Sequence, residues 1–137
     1  MKNHLFTLVA FLFFFFPVQG QRITNSSHGT TGYIKGDGTI QNSSYSTLGY
    51  IKTDGTIQDA SYRTIGHIKR DGSIQDGSYR TVGYVRSDGT VQNSSYSTIG
   101  HILDDGRVQN SSYSTIGHAR DVRKEWAAVV FFFFKFE

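Results

Sequence analysis

A unit of 17 residues recurs five times without insertion between residues 32 and 116. The first copy reads GYIKGDGTIQNSSYSTL, and the copies occupy residues 32–48, 49–65, 66–82, 83–99 and 100–116. A unit this short has room for two strands and two turns, which excludes helix-pair repeats and four-stranded blades. Its Tyr, Ile, Val and Thr favour strands, whereas its Gly, Asn, Asp and Ser favour turns. The repeat therefore predicts an all-β chain of short hairpins.

Half a unit stands at each end of this array. RITNSSHGTT (22–31) matches the second half of the unit, and GHAR (117–120) matches the first half. Because the two halves are complementary, they can either join to close a ring or cap an open stack, and the sequence leaves both arrangements open.

The register of the hairpin follows from its apolar residues. A two-residue loop, Asp37-Gly38, would place Lys35 opposite Ile40 and mix polar with apolar neighbours. A three-residue loop over 36–38 pairs Ile34 with Ile40 on one face, so we predict this loop, with a left-handed glycine at its third position. The prediction assigns a structural turn role to one Asp-Gly pair in each unit: Asp37, Gly38, Asp54, Gly55, Asp71, Gly72, Asp88, Gly89, Asp105 and Gly106.

The second turn of each unit reads NSSYST or a close variant, and its small polar side chains can satisfy the backbone locally. We expect its tyrosine, Tyr45 in the first unit, to cover the edge of a thin core. Leu48 ends the unit, and strict alternation would place it on the face opposite Ile51. We expect the intervening Gly49 to bend or bulge the strand, so that both apolar side chains point inward.

The first 20 residues predict a secretory signal peptide. Lys2 precedes an apolar stretch from Leu5 to Val18, and cleavage is expected before Gln21. The stretch is shorter than the roughly 20 residues of a membrane-spanning helix, so we expect no transmembrane span after cleavage. The sequence therefore predicts an exported protein, periplasmic or secreted, whose repeat domain occupies residues 21–120.

The composition of the chain bears on how it is stabilised and on which classes of partner it binds. It contains no cysteine, so no disulfide can stabilise the exported protein. Residues 32–116 carry eight Lys or Arg and eight Asp or Glu, so the net charge of +3 arises outside the repeats. Such a balance predicts no nucleic-acid partner.

Residues 121–137 read DVRKEWAAVVFFFFKFE, with eight consecutive apolar residues at 127–134. A run of this length is typical of a buried strand or a buried short helix, and periodicity does not distinguish them. Exposed, it would promote aggregation. We therefore expect it to complete the core, after a short helix over 123–126 that Asp121 caps.

The repeat G-[YH]-[IV]-x-x-D-G-x-[IV]-Q-x-x-S-Y-x-T-[ILV], followed by this Ala/Val/Phe-rich tail, resembles the 5-fold β-flower proteins. These are small exported bacterial proteins. The resemblance covers residues 21–137 and implies five β-hairpin petals around a pseudo-five-fold axis, with the apolar C-terminal segment packed against or through the ring. The family has no established activity, so the resemblance implies a fold and no catalytic residues.

The Asp-Gly fragment also resembles part of a calcium loop, but its surroundings do not. With Asp37 at position 5 of an EF-hand loop, Tyr33 and Lys35 occupy ligand positions and Ser44 replaces the bidentate Glu. Only the fifth unit has a second acidic residue in this loop, because Asp104 precedes Asp105. We predict no metal site and no cofactor.

The second position of the unit holds either Tyr or His. Its occupants are the candidate ligand-binding residues: Tyr33, Tyr50, His67, Tyr84, His101 and His118. Interchange with Tyr indicates an aromatic packing or surface role, because a zinc site needs three or four converging ligands. No Cys is available, and Ser and His recur with the repeat, so we expect no enzymatic activity.

Two functions follow from these features. The first is a non-enzymatic structural or envelope-associated role with an unknown partner. The alternative is a ligand-binding module, in which the repeated Tyr and His positions make weak multivalent contacts with a glycan or a peptide, so that the partner is a glycan or a protein.

Overall fold

The structure is a computed structural model that describes residues 20–136, so the predicted signal peptide lies outside the described residues apart from Gly20. Within these residues, twelve antiparallel strands close into a barrel, and neighbours along the chain are neighbours in the ring. The strands are β1 (Gln21–Asn25), β2 (Thr30–Ile34), β3 (Thr39–Asn42), β4 (Thr47–Ile51), β5 (Thr56–Asp59), β6 (Thr64–Ile68), β7 (Ser73–Asp76), β8 (Thr81–Val85), β9 (Thr90–Asn93), β10 (Thr98–Ile102), β11 (Arg107–Asn110) and β12 (Thr115–Ala119).

The hairpin of the first unit has the predicted register. Ile34 of β2 lies opposite Ile40 of β3. The Lys35 N–H donates to the Thr39 carbonyl at 2.9 Å, and the Gly38 N–H donates to the Lys35 carbonyl at 2.9 Å, which closes a three-residue loop. Gly38 has φ +91°, in the region that favours glycine. The four later Asp-Gly loops repeat this geometry.

The two half repeats join and close the ring. Ile23 of β1 lies opposite Ala119 of β12, and β1 also pairs with β2. The barrel therefore has six two-stranded petals, five from continuous hairpins and one from the paired halves. This differs from the five petals that the resemblance implies. The physical reason is that unpaired halves would leave two exposed strand edges, which pairing removes.

A bulge ends each unit, as predicted. Ile40 lies opposite Gly49 and Gln41 lies opposite Thr47, so Leu48 is an extra residue in β4. Leu48 is half-buried and packs against the core. The bulge lets an apolar side chain reach the interior at a position that strict alternation would have turned outward.

The C-terminal segment enters the interior of the barrel as a helix. Helix α1 (Lys124–Ala128) continues into a π-helical segment, Val129–Phe133, which we call π1. Ala127, Ala128 and Val129 are fully buried in the same cluster as the strand residues. No helix within residues 20–136 is long and apolar enough to cross a bilayer.

The expected helix cap is wrong. Arg123 occupies the N-cap position of α1, and no side chain caps the helix. Asp121 instead lies in the connecting turn, with φ +60°. Lys124 anchors α1 to the barrel, because its ammonium lies 2.6 Å from the carboxylate of Asp104. The fifth Asp-Gly loop thus uses its extra acid to contact the helix.

Candidate binding surface

In the described part of the chain, six stacked aromatic pairs lie on the outer surface of the barrel, one on each petal. One member of each pair lies on a strand, and the other lies in a turn. In the first five petals this turn follows the petal along the chain, and in the sixth petal it follows β1. In the first petal, the Tyr33 and Tyr45 ring centroids lie 4.8 Å apart, with 14° between the ring planes. The other pairs have centroid distances between 4.4 and 4.9 Å: Tyr50–Tyr62, His67–Tyr79, Tyr84–Tyr96, His101–Tyr113 and His28–His118.

The strand member of each pair is placed by alternation. Gly32 and Ile34 are buried, so Tyr33 between them faces outward and is half-buried. The six residues that the sequence marked as candidates occupy this same place on their petals. The structure does not gather them into one pocket, but distributes them around the ring.

The turn member is held by a loop of the same type as the Asp-Gly loop. The Asn42 N–H donates to the Ser46 carbonyl at 3.0 Å, and the Tyr45 N–H donates to the Asn42 carbonyl at 3.0 Å. The Asn42 side-chain oxygen also accepts hydrogen bonds from the Ser44 and Ser46 N–H groups. Tyr45 therefore takes the third loop position, which glycine holds in the other loop, and its φ is +68°.

The expectation that Tyr45 covers the edge of the core is wrong. Its side chain is 63% exposed, and the four later turn tyrosines are between 58% and 68% exposed. The reason is the left-handed backbone at this position, from which the ring lies over its strand partner outside the barrel. One face of Tyr45 stacks on Tyr33, and the remainder of the ring meets solvent.

This arrangement gains little stability. A left-handed conformation costs a non-glycine residue about 1–2 kcal/mol. Stacking of an aromatic pair returns about 0.5–1.5 kcal/mol. The two effects nearly cancel, and glycine would form the same loop without strain, as it does in the Asp-Gly loops. The turn itself therefore does not require a tyrosine.

Hydrogen bonds join the hydroxyl groups of the three Tyr–Tyr pairs. The Tyr50 hydroxyl donates to the Tyr62 hydroxyl at 3.1 Å, and the Tyr84 hydroxyl donates to the Tyr96 hydroxyl at 3.0 Å. The hydrogen bond to Tyr62 raises the pKa of Tyr50 above its ordinary value of 10.0, since the protonated donor is favoured. The hydrogen bond with Tyr45 raises the pKa of Tyr33 in the same way, and the hydrogen bond with Tyr96 raises that of Tyr84.

Two pairs differ from the rest in their polar neighbours. The Arg86 guanidinium lies 5.5 Å from the Tyr84 ring centroid and 5.9 Å from that of Tyr96, within cation–π range of both. On the sixth petal, His118 stacks on His28 and its Nδ1 lies 3.1 Å from the Thr24 hydroxyl. The surface therefore repeats one geometry with varied chemistry.

Sequence reasoning missed the turn members of the pairs as site residues. His28 was detectable, because NSSH at 25–28 aligns with NSSY at 42–45. The turn tyrosines were visible as a repeat, but their positive φ angles were not. That conformation decides which side of the barrel they occupy.

Each aspartate of the Asp-Gly loops accepts a backbone hydrogen bond within its own loop. The Asp37 carboxylate accepts the Thr39 N–H at 3.0 Å, and this hydrogen bond holds the pKa of Asp37 below its ordinary value. Equivalent bonds hold Asp54, Asp71, Asp88 and Asp105. Within the described part of the chain, no group of three or more His, Asp or Glu side chains is arranged to hold a metal ion.

The family profile of the 5-fold β-flower proteins matches residues 20–135. The chain belongs to the 5-fold β-flower protein family. No curated protein and no solved structure matches the chain. The family description names a fold and no reaction. In this β-flower protein, the aromatic pairs form a regular feature of the outer surface.

Proposed function

We propose that this β-flower protein is an exported, non-enzymatic protein that binds a glycan through its stacked aromatic pairs. The observation that carries the proposal is the left-handed tyrosine at the third position of five turns. Backbone strain that glycine would relieve, repeated in this way, supports a role for the ring beyond the turn.

The geometry of a pair suits a sugar ring. The outer face of Tyr45 is flat and exposed, while its inner face rests on Tyr33. A pyranose presents axial C–H groups on one face, which pack on an aromatic face while its hydroxyl groups stay in water. The Arg86 guanidinium beside the fourth pair adds donors for hydroxyl or acidic groups of the same ligand.

The ring makes weak contacts effective. Six pairs surround one rigid barrel, so a polymer that engages one pair finds the next at high effective concentration. A protein of this kind holds or links an extended glycan rather than transforming it. This action joins the two functions that the sequence favours, because glycan binding of this type gives the protein a structural or envelope-associated role.

The turn tyrosines offer a clean test of glycan binding. A triple variant removes the turn rings of the three Tyr–Tyr pairs and places glycine where the backbone favours it. Its substitutions are Tyr45→Gly, Tyr62→Gly and Tyr96→Gly. We expect each of the three substitutions to change the free energy of unfolding by less than about 1 kcal/mol, since strain and stacking nearly cancel at each site. On a glycan array and by titration with the best ligand, the triple variant should bind at least about tenfold more weakly.

Control variants and outcomes separate the alternatives. The strand pair Tyr50→Ala and Tyr84→Ala should also weaken binding, whereas Ser43→Ala, in the first turn but outside its aromatic pair, should not. If no glycan binds, or if the triple glycine variant binds like the unaltered protein, the proposal fails. Binding of a protein instead of any glycan would favour the alternative partner.

Export has a separate test. Expressed with residues 1–20 intact, the protein should leave the cytoplasm, and mass spectrometry should find Gln21 at its N-terminus. Retention of the uncleaved chain in the cytoplasm would contradict export, but it would not contradict glycan binding by the aromatic pairs.

A further inference from the structure

Five phenylalanine rings fill five equivalent niches inside the barrel. Each niche lies over the buried glycine of an even-numbered strand, where a Cβ atom would overlap the ring. The ring–glycine contacts follow the chain around the barrel: Phe131 at Gly117, Phe132 at Gly100, Phe133 at Gly83, Phe134 at Gly66 and Phe136 at Gly49. Successive rings thus step from petal to petal.

The sixth niche lies over Gly32 of β2. Among the described residues, the three heavy atoms nearest to a Cβ at Gly32 belong to the backbone of Gln41 and Asn42 rather than to a phenylalanine ring. A cavity of about 270 Å³ borders this glycine. Its apolar walls include Ile34, Ile40, Leu48, Val130, Phe134 and Phe136, and Tyr33, Gln41 and Lys135 add polar groups to its lining.

A departure from the repeat explains the cavity. The bulge residue before each strand glycine is apolar in units one to five, as Leu48 is before Gly49. Before Gly32 the bulge residue is Thr31, whose hydroxyl donates to the Ile23 carbonyl at 3.2 Å. Thr31 also borders the cavity. Within residues 20–136, the niche over Gly32 therefore has neither the aliphatic bulge residue nor the ring that the equivalent niches have.

The equivalent niches indicate what this one would hold. Their shape accepts the edge of a phenyl ring against a glycine backbone, and the walls over Gly32 come from the same strand positions. Apolar cavities of protein interiors bind small aromatic molecules such as benzene. Small-molecule sites combine apolar walls with polar groups that orient the ligand, and Thr31, Gln41 and Lys135 supply polar groups here.

We propose that the niche over Gly32 is a binding site for a small ligand that carries a single phenyl ring. The ring takes the place that a phenylalanine takes in each of the other petals, against Gly32 and between Leu48 and the rings of Phe134 and Phe136. This site is inside the barrel and does not depend on the outer aromatic pairs.

Benzyl alcohol is a soluble probe for this site. In a titration followed by amide NMR shifts, we expect saturable changes centred on Gly32 and Leu48. Thr31→Leu restores the repeat pattern and places a side chain toward the cavity. We expect it to weaken benzyl alcohol binding at least about tenfold, the scale of one lost apolar contact site.

Controls keep the result decisive. Ile116→Leu alters the equivalent bulge residue beside a filled niche and should leave binding unchanged, as should Tyr45→Gly on the outer surface. Val130→Phe fills the cavity from π1 and serves as a second blocking variant if Thr31→Leu does not fold. The proposal is overturned if no saturable shift occurs, if the shifts centre elsewhere, or if a folded blocking variant binds normally.

Discussion

The first Asp-Gly loop contains two glycines with opposite requirements, and this difference gives a sharp test of the barrel. Gly36 and Gly38 are the first and third residues of one loop. A Cβ at Gly36 would meet no atom of residues 20–136 within 4 Å. A Cβ at Gly38 would overlap the carbonyl oxygen of Ile51 on the next petal. The Gly38 carbonyl also accepts the Ile51 N–H at 2.8 Å, so the loop touches its neighbour closely.

We expect Gly38→Ala to destabilise the protein by about 2.5–6.5 kcal/mol, through three effects. The left-handed φ contributes about 1–2 kcal/mol. Overlap with the Ile51 carbonyl contributes about 1–3 kcal/mol, because a backbone atom cannot move aside as a flexible side chain can. Moving the petals apart weakens the hydrogen bond from Ile51, which adds about 0.5–1.5 kcal/mol. Gly36→Ala should change stability by less than about 1 kcal/mol, in the stabilising direction if its φ suits alanine.

Urea denaturation monitored by circular dichroism measures both variants against the unaltered protein. A separation of at least about 2 kcal/mol between the two alanine variants is expected, with similar denaturant slopes. If Gly38→Ala matches Gly36→Ala, then the close contact between adjacent petals does not exist and the proposed packing of the loops is wrong.

Three further predictions rest on the same features. Gly72→Val should destabilise clearly because the third loop position suits a β-branched residue badly, whereas Arg70→Thr should stay within about 0.5 kcal/mol; equal midpoints in urea would refute this loop. Phe132→Ala removes the ring over Gly100 and should cost about 2–4 kcal/mol in urea denaturation, and a loss under about 1 kcal/mol would show that the ring does not fill its niche. The hydrogen bond from the Arg63 N–H lowers the pKa of Asp59 below 3.8, so its contribution is present above that value and is lost as pH falls through the lowered pKa. Melting temperatures from about pH 5 to about pH 2 should therefore fall less for Asp59→Asn than for the unaltered protein, and identical pH profiles would contradict this linkage.

Local features of the fold could be read from the sequence because short-range chemistry controls them. The pairing of Ile34 with Ile40 and the glycine at φ +91° follow from one loop and its two flanking residues. The bulge at Leu48 follows from an apolar residue that alternation would have exposed. Each of these depends on contacts within about a dozen residues.

The candidate surface was only half visible from the sequence. The Tyr or His slot on the strands marked one member of each pair, because its repetition showed a constant environment. The partner at Tyr45 was assigned to the core edge, where a large ring normally lies. Its actual place depends on φ +68°, a backbone state that residue type alone argues against.

By itself, the sequence determined the all-β class, the hairpin register and the two turns of each unit, since these depend on alternation and on glycine at strained positions. Only the tertiary structure decided the number of petals, because β1 and β12 lie far apart in the chain and pair only when the ring closes. It also decided the form of the apolar tail. A helix satisfies its own backbone hydrogen bonds inside a barrel whose strands are already paired. Its π-helical end directs Phe131, Phe132 and Phe133 to three successive strand glycines, and the non-helical residues that follow place Phe134 and Phe136 at the next two.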